Sequence, residues 1–308
     1  MMAEARHLSW GAAALWKQLE PELPGLSVEV LARAESTNTL LLDRVRQQGG
    51  RRAEGGEAAR SAQVGRRDAD IGPCLLVAEQ QTHGRGRLGR GWVAAPGVSL
   101  TFSLALTLAP ADWSGLSLAV GVALADALDP LVAGTAPRLV LKWPNDLWLR
   151  EAPGRGRKLG GILIETVGVE GRRVCVIGVG LNVLALPAPA ASMSCGQASV
   201  QELDPRASPP SVLARVALPL VQAVRSFERR GFGAFAAAYA ARDLLHGVEL
   251  TTTAPDCPAG RGAGVDAQGA LIVLDAAGQR HRLVSGEISV RPQAGDEDGA
   301  AAASGQPC

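Results

Sequence analysis

The sequence predicts an α+β protein: a mixed, largely antiparallel sheet backed by helices, followed by a small C-terminal β-barrel. Three observations predict it. Val98–Leu106 alternates apolar with small polar residues, as a strand does. Strand-like runs then succeed one another as an antiparallel meander from Arg138 to Val183. From Gly247 onward the texture changes to short apolar runs punctuated by glycine.

Taken in order, Leu8, Leu15, Trp16 and Leu19 lie at roughly helical spacing, and Pro21 and Pro24 end that opening helix. Ser27–Arg33 alternates as a strand, and Ser36-Thr37-Asn38 offers hydroxyl and amide caps to a helix over Thr39–Arg46. Residues 47–72 lose any apolar face and read as a mobile surface insertion. Leu75-Leu76-Val77-Ala78 is a buried strand end, and Leu116–Leu128 is an Ala/Leu/Val helix stopped by Pro130. Arg138–Trp143 is a strand broken at Pro144, Asn145-Asp146 makes the turn, and Leu147-Trp148-Leu149 resumes. Glu151–Arg157 reads as a second insertion, before strands at Lys158–Glu165 and Val174–Val183. Ala185–Pro210 is a loop with a short helix near Val200–Leu203, and Val212–Ala240 holds two helices separated near Gly231. The expected division is a main domain over residues 1–246, a barrel over 247–292 and a disordered tail over 293–308. A barrel of about fifty residues is near the lower limit for standing alone.

The totals exclude several function classes. Lysine and arginine number 31 against 30 acidic residues, a net charge of +1, so no global field draws nucleic acid or anionic membrane. Aromatic residues are only 4% of the chain, too few for a base-stacking platform. No apolar run has the length of a bilayer span and no signal peptide is evident, which makes the cytoplasm the default location. The five cysteines are odd in number and widely spaced, as reduced structural thiols are. No glycine-rich run ends in Gly-Lys-Ser/Thr, so a P-loop is unsupported.

Any positive site must therefore be local. In Gly84-Arg85-Gly86-Arg87-Leu88-Gly89-Arg90-Gly91-Trp92, glycines alternate with arginines directly after the buried strand. Glycine lets backbone N–H groups approach a ligand, and each guanidinium offers a planar fork of donors to carboxylate or phosphate. Such a loop suits two anions held together. A solvated basic turn is the bland alternative.

Four stretches in order carry a family resemblance: Glu35-Ser36-Thr37-Asn38, the Gly/Arg loop, Leu141-Lys142-Trp143-Pro144-Asn145-Asp146, and Lys158-Leu159-Gly160-Gly161-Ile162-Leu163-Ile164-Glu165. With Gly178–Asn182 and Gly286–Arg291, they resemble the biotin protein ligases, here a short form without an N-terminal DNA-binding domain. The resemblance implies a class II synthetase-like catalytic domain and an SH3-like barrel. It implies that biotin is activated with ATP and Mg²⁺ as biotinyl-AMP, then passed to a lysine of a biotin carboxyl carrier domain. Ser36, Thr37, Asn38, Gln81, Gly84, Arg85, Arg87, Lys158 and Gly161 would bind biotin. Arg87, Arg90, Trp92, Asn145, Lys158 and Asn182 would serve the nucleotide. Arg87, Lys158, Asp146 and Lys142 would be catalytic, with Asp146 orienting the incoming ammonium. No protein nucleophile and no protein metal site are assigned.

Plainer readings stand beside these. Ser36 or Asn38 caps a helix, Asn145-Asp146 forms a hairpin turn, Lys142 and Lys158 end strands, Asn182 is a satisfied strand terminus, and Trp92 and Trp143 pack. Fewer than forty residues precede Glu35, too few for a helix-turn-helix module, so no DNA binding is expected, while homodimerisation stays open. The rival activities are lipoate or octanoate ligation, on similar chemistry, and nucleic-acid binding through the Gly/Arg loop.

Overall fold

The computed structural model describes residues 8–54, 72–186, 196–284 and 290–292. Expectations for 55–71, for the tail 293–308, for Cys195 and Cys308 and for Gly286–Ser289 lie outside them.

The chain opens with α1 (Ala12–Leu19), β1 (Ser27–Leu31), α2 (Thr37–Glu54) and β2 (Cys74–Ala78). The short strands β3 (Gly84–Arg85) and β4 (Gly91–Trp92) pair with each other, and β5 (Ser99–Thr107) and α3 (Leu116–Leu128) follow. Next come β6 (Leu139–Lys142), β7 (Asp146–Ala152), β8 (Arg155–Val169) and β9 (Arg172–Asn182). Helices α4 (Pro209–Arg230) and α5 (Ala236–Ala240) lead to β10 (Glu249–Thr252), β11 (Ala259–Val265), β12 (Leu271–Leu274), β13 (Arg280–Leu283) and β14 (Val290–Pro292).

The main sheet has seven strands in the order β1-β2-β5-β9-β8-β7-β6. It is mixed because β1 runs parallel to β2, whereas β2–β5, β6–β7 and β7–β8 are antiparallel. The C-terminal sheet has five antiparallel strands in the order β13-β12-β11-β10-β14, the sheet of an SH3-like domain, with no ladder joining its outer strands among the described residues.

Two compact units divide the chain: Met1–Ala109 with Leu163–Gly180, and Pro110–Ile162 with Leu181–Cys308. In the first, Leu41 and Leu42 of α2 pack with Leu76, Ala105 and Val176 on the sheet. In the second, α3 packs against α4 and β6. Helix α4 begins where Ser208 caps it, its Oγ accepting from Ser211 N, with Pro209 at the first turn. Arg242, whose side chain is fully buried, joins the end of α3 to the start of β6. Its Nε donates to Asp126 Oδ1 at 3.0 Å and its Nη1 to Leu139 O at 2.8 Å.

Three local expectations change. Helix α2 runs to Glu54, so the first eight residues of the expected insertion continue the helix. Glu151–Arg157 is a paired hairpin and not an irregular segment: β7 and β8 pair out to Ala152 and Arg155, and Gly154 makes the tight turn at φ 70°. Strand β5 is buried on both faces, not one, because Ser99, Thr101 and Ser103 are covered as fully as Leu100, Phe102 and Leu104. Among the described residues Cys74, Cys175 and Cys257 are free and buried, and burial pushes the Cys74 thiol up to about 11 and the Cys175 thiol to about 12.

Candidate functional site

In the first unit, the start of α2 faces β5 and the loop after β2 through a hydrogen-bonded set of buried polar groups. Gln81 Oε1 accepts from Thr37 N at 2.8 Å and stands 3.1 Å from Thr37 Oγ1. Ser103 Oγ lies 2.6 Å from both Thr37 Oγ1 and Asn38 Oδ1. Asn38 Nδ2 donates to Leu163 O at 3.1 Å and to Glu165 Oε2 at 3.0 Å. Ser36, Thr37 and Asn38 are all buried, and Ser36 Oγ accepts weakly from Thr39 N at 3.4 Å, the capping geometry. Two glycines of β9, on one face because they are two apart, make room for this corner. A Cβ on Gly178 would lie 2.3 Å from Asn38 Oδ1, and one on Gly180 would lie 2.5 Å from Trp92 Cε2.

The Gly/Arg segment forms a narrow β3–β4 hairpin, with Gly84 opposite Trp92 and Arg85 opposite Gly91. Gly84 is required by close approach, since a Cβ there would lie 2.4 Å from Trp92 O. At the tip, Leu88 adopts a left-handed φ of 57°, followed by Gly89 at 71°. A leucine in that region is strained, as loops that handle ligands often are. Arg85 is exposed and reaches back, Nη2 to Glu165 Oε1 at 3.1 Å and Nη1 to Thr39 Oγ1 at 3.2 Å. Arg87 and Arg90 are half-buried.

In the second unit, β6, β7 and β8 present a row of side chains on one sheet face. Lys142 pairs with Asp146, Asp146 with Gly161, and Trp148 with Lys158. Lys158 Nζ meets Asp146 Oδ1 at 2.8 Å, with only 16% and 11% of the two side chains exposed. Gly161 leaves the space beside them open, its missing Cβ 3.5 Å from Asp146 Oδ1. Lys142 is buried with Nζ 4.8 Å above the Trp148 ring, a cation–π contact. The turn is held from both sides. Asn145 Nδ2 donates to Ile162 O at 2.8 Å, and the buried Trp143 donates from Nε1 to Gly269 O at 3.1 Å. Asn182 is buried at the end of β9, its Nδ2 donating to Ala198 O at 3.2 Å and reaching Lys158 O at 3.5 Å.

Thr37, Asn38 and Gln81 thus meet in one network, with Arg85 tied to it, and Lys142, Asn145, Asp146, Lys158 and Gly161 meet in another. Asn38 spends both amide hydrogens internally, so it supports its neighbours. Asn145 and Asn182 likewise brace the backbone around Lys158 and Ile162. Sequence reasoning missed Ser103, Glu165 and Trp148 as members. The available signal was periodic: Ser99, Thr101 and Ser103 recur every second residue on a strand otherwise made of Leu and Phe.

Residues 72–182 match the Biotin/lipoate A/B protein ligase family, and residues 248–291 match the Biotin protein ligase C terminal domain. The bifunctional ligase/repressor BirA of Escherichia coli is 32% identical over 279 residues, 89% of this chain and 77% of that protein. A biotin--[acetyl-CoA-carboxylase] ligase of Paracoccus denitrificans is 33% identical over 221 residues, 68% of this chain and 87% of that one. The fold is shared with the biotin protein ligase of Aquifex aeolicus solved with biotin and ATP, at a TM-score of 0.63 and 24% identity, covering 87% of this chain and 99% of that one. These matches and the two-sheet architecture define a ligase. The chain belongs to the biotin protein ligase family.

Proposed function

We propose that the chain activates biotin with ATP and transfers it to a lysine of a biotin carboxyl carrier domain. In the first step a biotin carboxylate oxygen attacks the α-phosphorus and pyrophosphate leaves, giving biotinyl-AMP. In the second the lysine amine attacks the acyl carbon, AMP leaves and the amine loses a proton.

The observation that carries this reading is the partly buried Lys158–Asp146 pair beside Gly161. Two anions must meet in the first step, and at about 4 Å in a partly dry site their repulsion is on the order of 4 kcal/mol. Lys158 offsets it, with Arg87 and Arg90 from the Gly/Arg hairpin. Once Lys158 turns to the anions, Asp146 is released to orient the carrier ammonium and receive its proton. Ser36, Thr37, Gln81 and the backbone at Gly84, Arg85 and Gly161 would take the biotin ring. Trp92, Asn145 and Asn182 would frame the nucleotide, and Lys142 would add charge behind Asp146. A catalytic domain over residues 1–246 and an appended domain over 247–292 belong to the same proposal.

Mg²⁺ enters with the nucleotide. Among the described residues no group of three or more His, Cys, Asp or Glu stands together to ligate a metal. Phosphate oxygens and water would hold the ion, which would supply charge neutralisation there.

ATP–pyrophosphate exchange, with biotin, lipoate and octanoate compared as the acid, tests the reading. Exchange with biotin alone is expected. Exchange with lipoate or octanoate instead keeps the chemistry and overturns the substrate, and no exchange with any acid overturns both.

A further inference from the structure

We infer that Ser103 and Glu165 are positioning residues that set which way Thr37 and Gln81 face the ligand, an inference that rests on the biotin reading above. Each touches residues assigned to biotin, Ser103 through Thr37 and Glu165 through Arg85. Ser103 is fully buried on β5, and Glu165 sits on β8 with 24% of its side chain exposed.

The polarity of the network follows from counting protons. The Glu165 carboxylate only accepts, and Arg85 Nη2 holds it in place at 3.1 Å. Its other oxygen and the Leu163 carbonyl take both hydrogens of the Asn38 amide. Asn38 Oδ1 is thereby turned toward Ser103, as a pure acceptor. Gly178 keeps it there, because no side chain fits in the space that the amide fills. Ser103 has one proton and two oxygens at 2.6 Å, Asn38 Oδ1 and Thr37 Oγ1. Its proton goes to Asn38, which cannot supply one, so Thr37 must give its own to Ser103. Thr37 Oγ1 then keeps its lone pairs for another partner, and Gln81 Oε1 receives only the Thr37 backbone N–H. Three oxygen–oxygen contacts are served by two hydroxyl protons. Thr37 Oγ1 therefore presents its lone pairs as acceptors, while the Gln81 amide nitrogen stays a donor, and the pair suits a ligand that brings N–H donors beside a carbonyl, as a cyclic urea does. An acid with a purely aliphatic or dithiolane tail leaves those acceptors unserved.

Loss of Ser103 or Glu165 should accordingly act on ring recognition and not on the chemical step. In the full-length protein, Ser103→Ala is expected to raise the biotin KM in pyrophosphate exchange about tenfold, with kcat and the ATP KM within about twofold. Glu165→Ala should do the same. Glu165→Gln, which keeps an oxygen for Asn38 but loses the ion pair with Arg85, should recover most of the biotin KM. Because Ser103 acts through Thr37, the effect of Ser103→Ala should largely vanish in a Thr37→Ala background, where additive losses mark independent roles. Thermal unfolding of each variant separates a folding defect, which lowers active concentration without moving KM. A parent protein with biotin-dependent exchange whose variants keep the parental biotin KM, or lose kcat and the ATP KM in equal measure, overturns this inference alone. A parent protein without biotin-dependent exchange overturns the functional reading and this inference with it.

Discussion

Lys158 and Asp146 hold opposite charges 2.8 Å apart, yet the proposed reaction needs them at different moments. Lys158→Ala is expected to slow pyrophosphate exchange by roughly 100-fold or more, the scale of losing one preorganised charge from a transition state. Asp146→Asn should leave exchange within about tenfold and slow single-turnover transfer from preformed biotinyl-AMP more severely. Equal losses in both steps would assign Asp146 a general bracing role instead. These two residues were reached in the sequence through the family resemblance of their motifs, since read locally Lys158 is a strand-end charge and Asp146 part of a hairpin turn. Ser103, Glu165 and Trp148 were not, because what they do depends on partners 65, 127 and 6 positions away, found only once the strands are paired. Asn38 was legible as a site residue, but its supporting part appears only with Leu163 and Glu165 in view.

Whole elements place those residues, and here glycines set the geometry. Gly180 gives its side-chain space to Trp92, so Gly180→Ala should displace the indole, destabilise the fold by about 1–3 kcal/mol and raise the ATP KM several-fold. A variant with parental ATP KM would remove Trp92 from the nucleotide site. The hairpin tip offers the opposite experiment. Leu88 carries a left-handed φ of 57° with its side chain half exposed, so Leu88→Gly relieves about 1 kcal/mol of backbone strain while freeing the loop. Its expected signature is an unchanged or slightly higher Tm together with faster hydrolytic loss of biotinyl-AMP, since a looser loop shields the anhydride less well. An unchanged rate of loss would show that the tip does not cover the intermediate. At this scale the sequence was readable wherever periodicity was strong, as in α3, which runs over Leu116–Leu128 as expected. It misled at Glu151–Arg157, where Pro, Gly and Arg look like an insertion but β7 and β8 extend and pair around a two-residue turn. Composition describes a segment in isolation, whereas strand pairing is decided by the partner.

Across the whole molecule the charges nearly cancel, at +1, so pH acts through particular buried groups and not through a net field. Asp243 is the clearest of them. It follows α5, where its segment bridges to Leu141 of β6, and Oδ1 accepts from Leu245 N at 2.9 Å. Among the described residues, neither its buried Oδ2 nor the hydroxyl of the fully buried Tyr239 has a hydrogen-bond partner. Burial pushes the Asp243 carboxyl up to about 6, against the lowering effect of the Leu245 and His246 backbone N–H groups and the His246 charge. The sign follows from which state holds the proton. Below the ordinary aspartate range both folded and unfolded chains are protonated there, and Asp243 costs nothing. As pH rises from about 4 to about 6 the unfolded chain releases its proton first, so the folded state is progressively penalised, by about 1–3 kcal/mol in all. Above about 6 the penalty is level. Asp243→Asn removes the titration while keeping an oxygen for Leu245, so its Tm relative to the parent should climb between pH 4 and 6 and stay constant from 6 to 8. Parallel Tm profiles for the two proteins across that window would mean that Asp243 ionises in the fold as readily as in water, with solvent reaching the space between Tyr239 and Asp243.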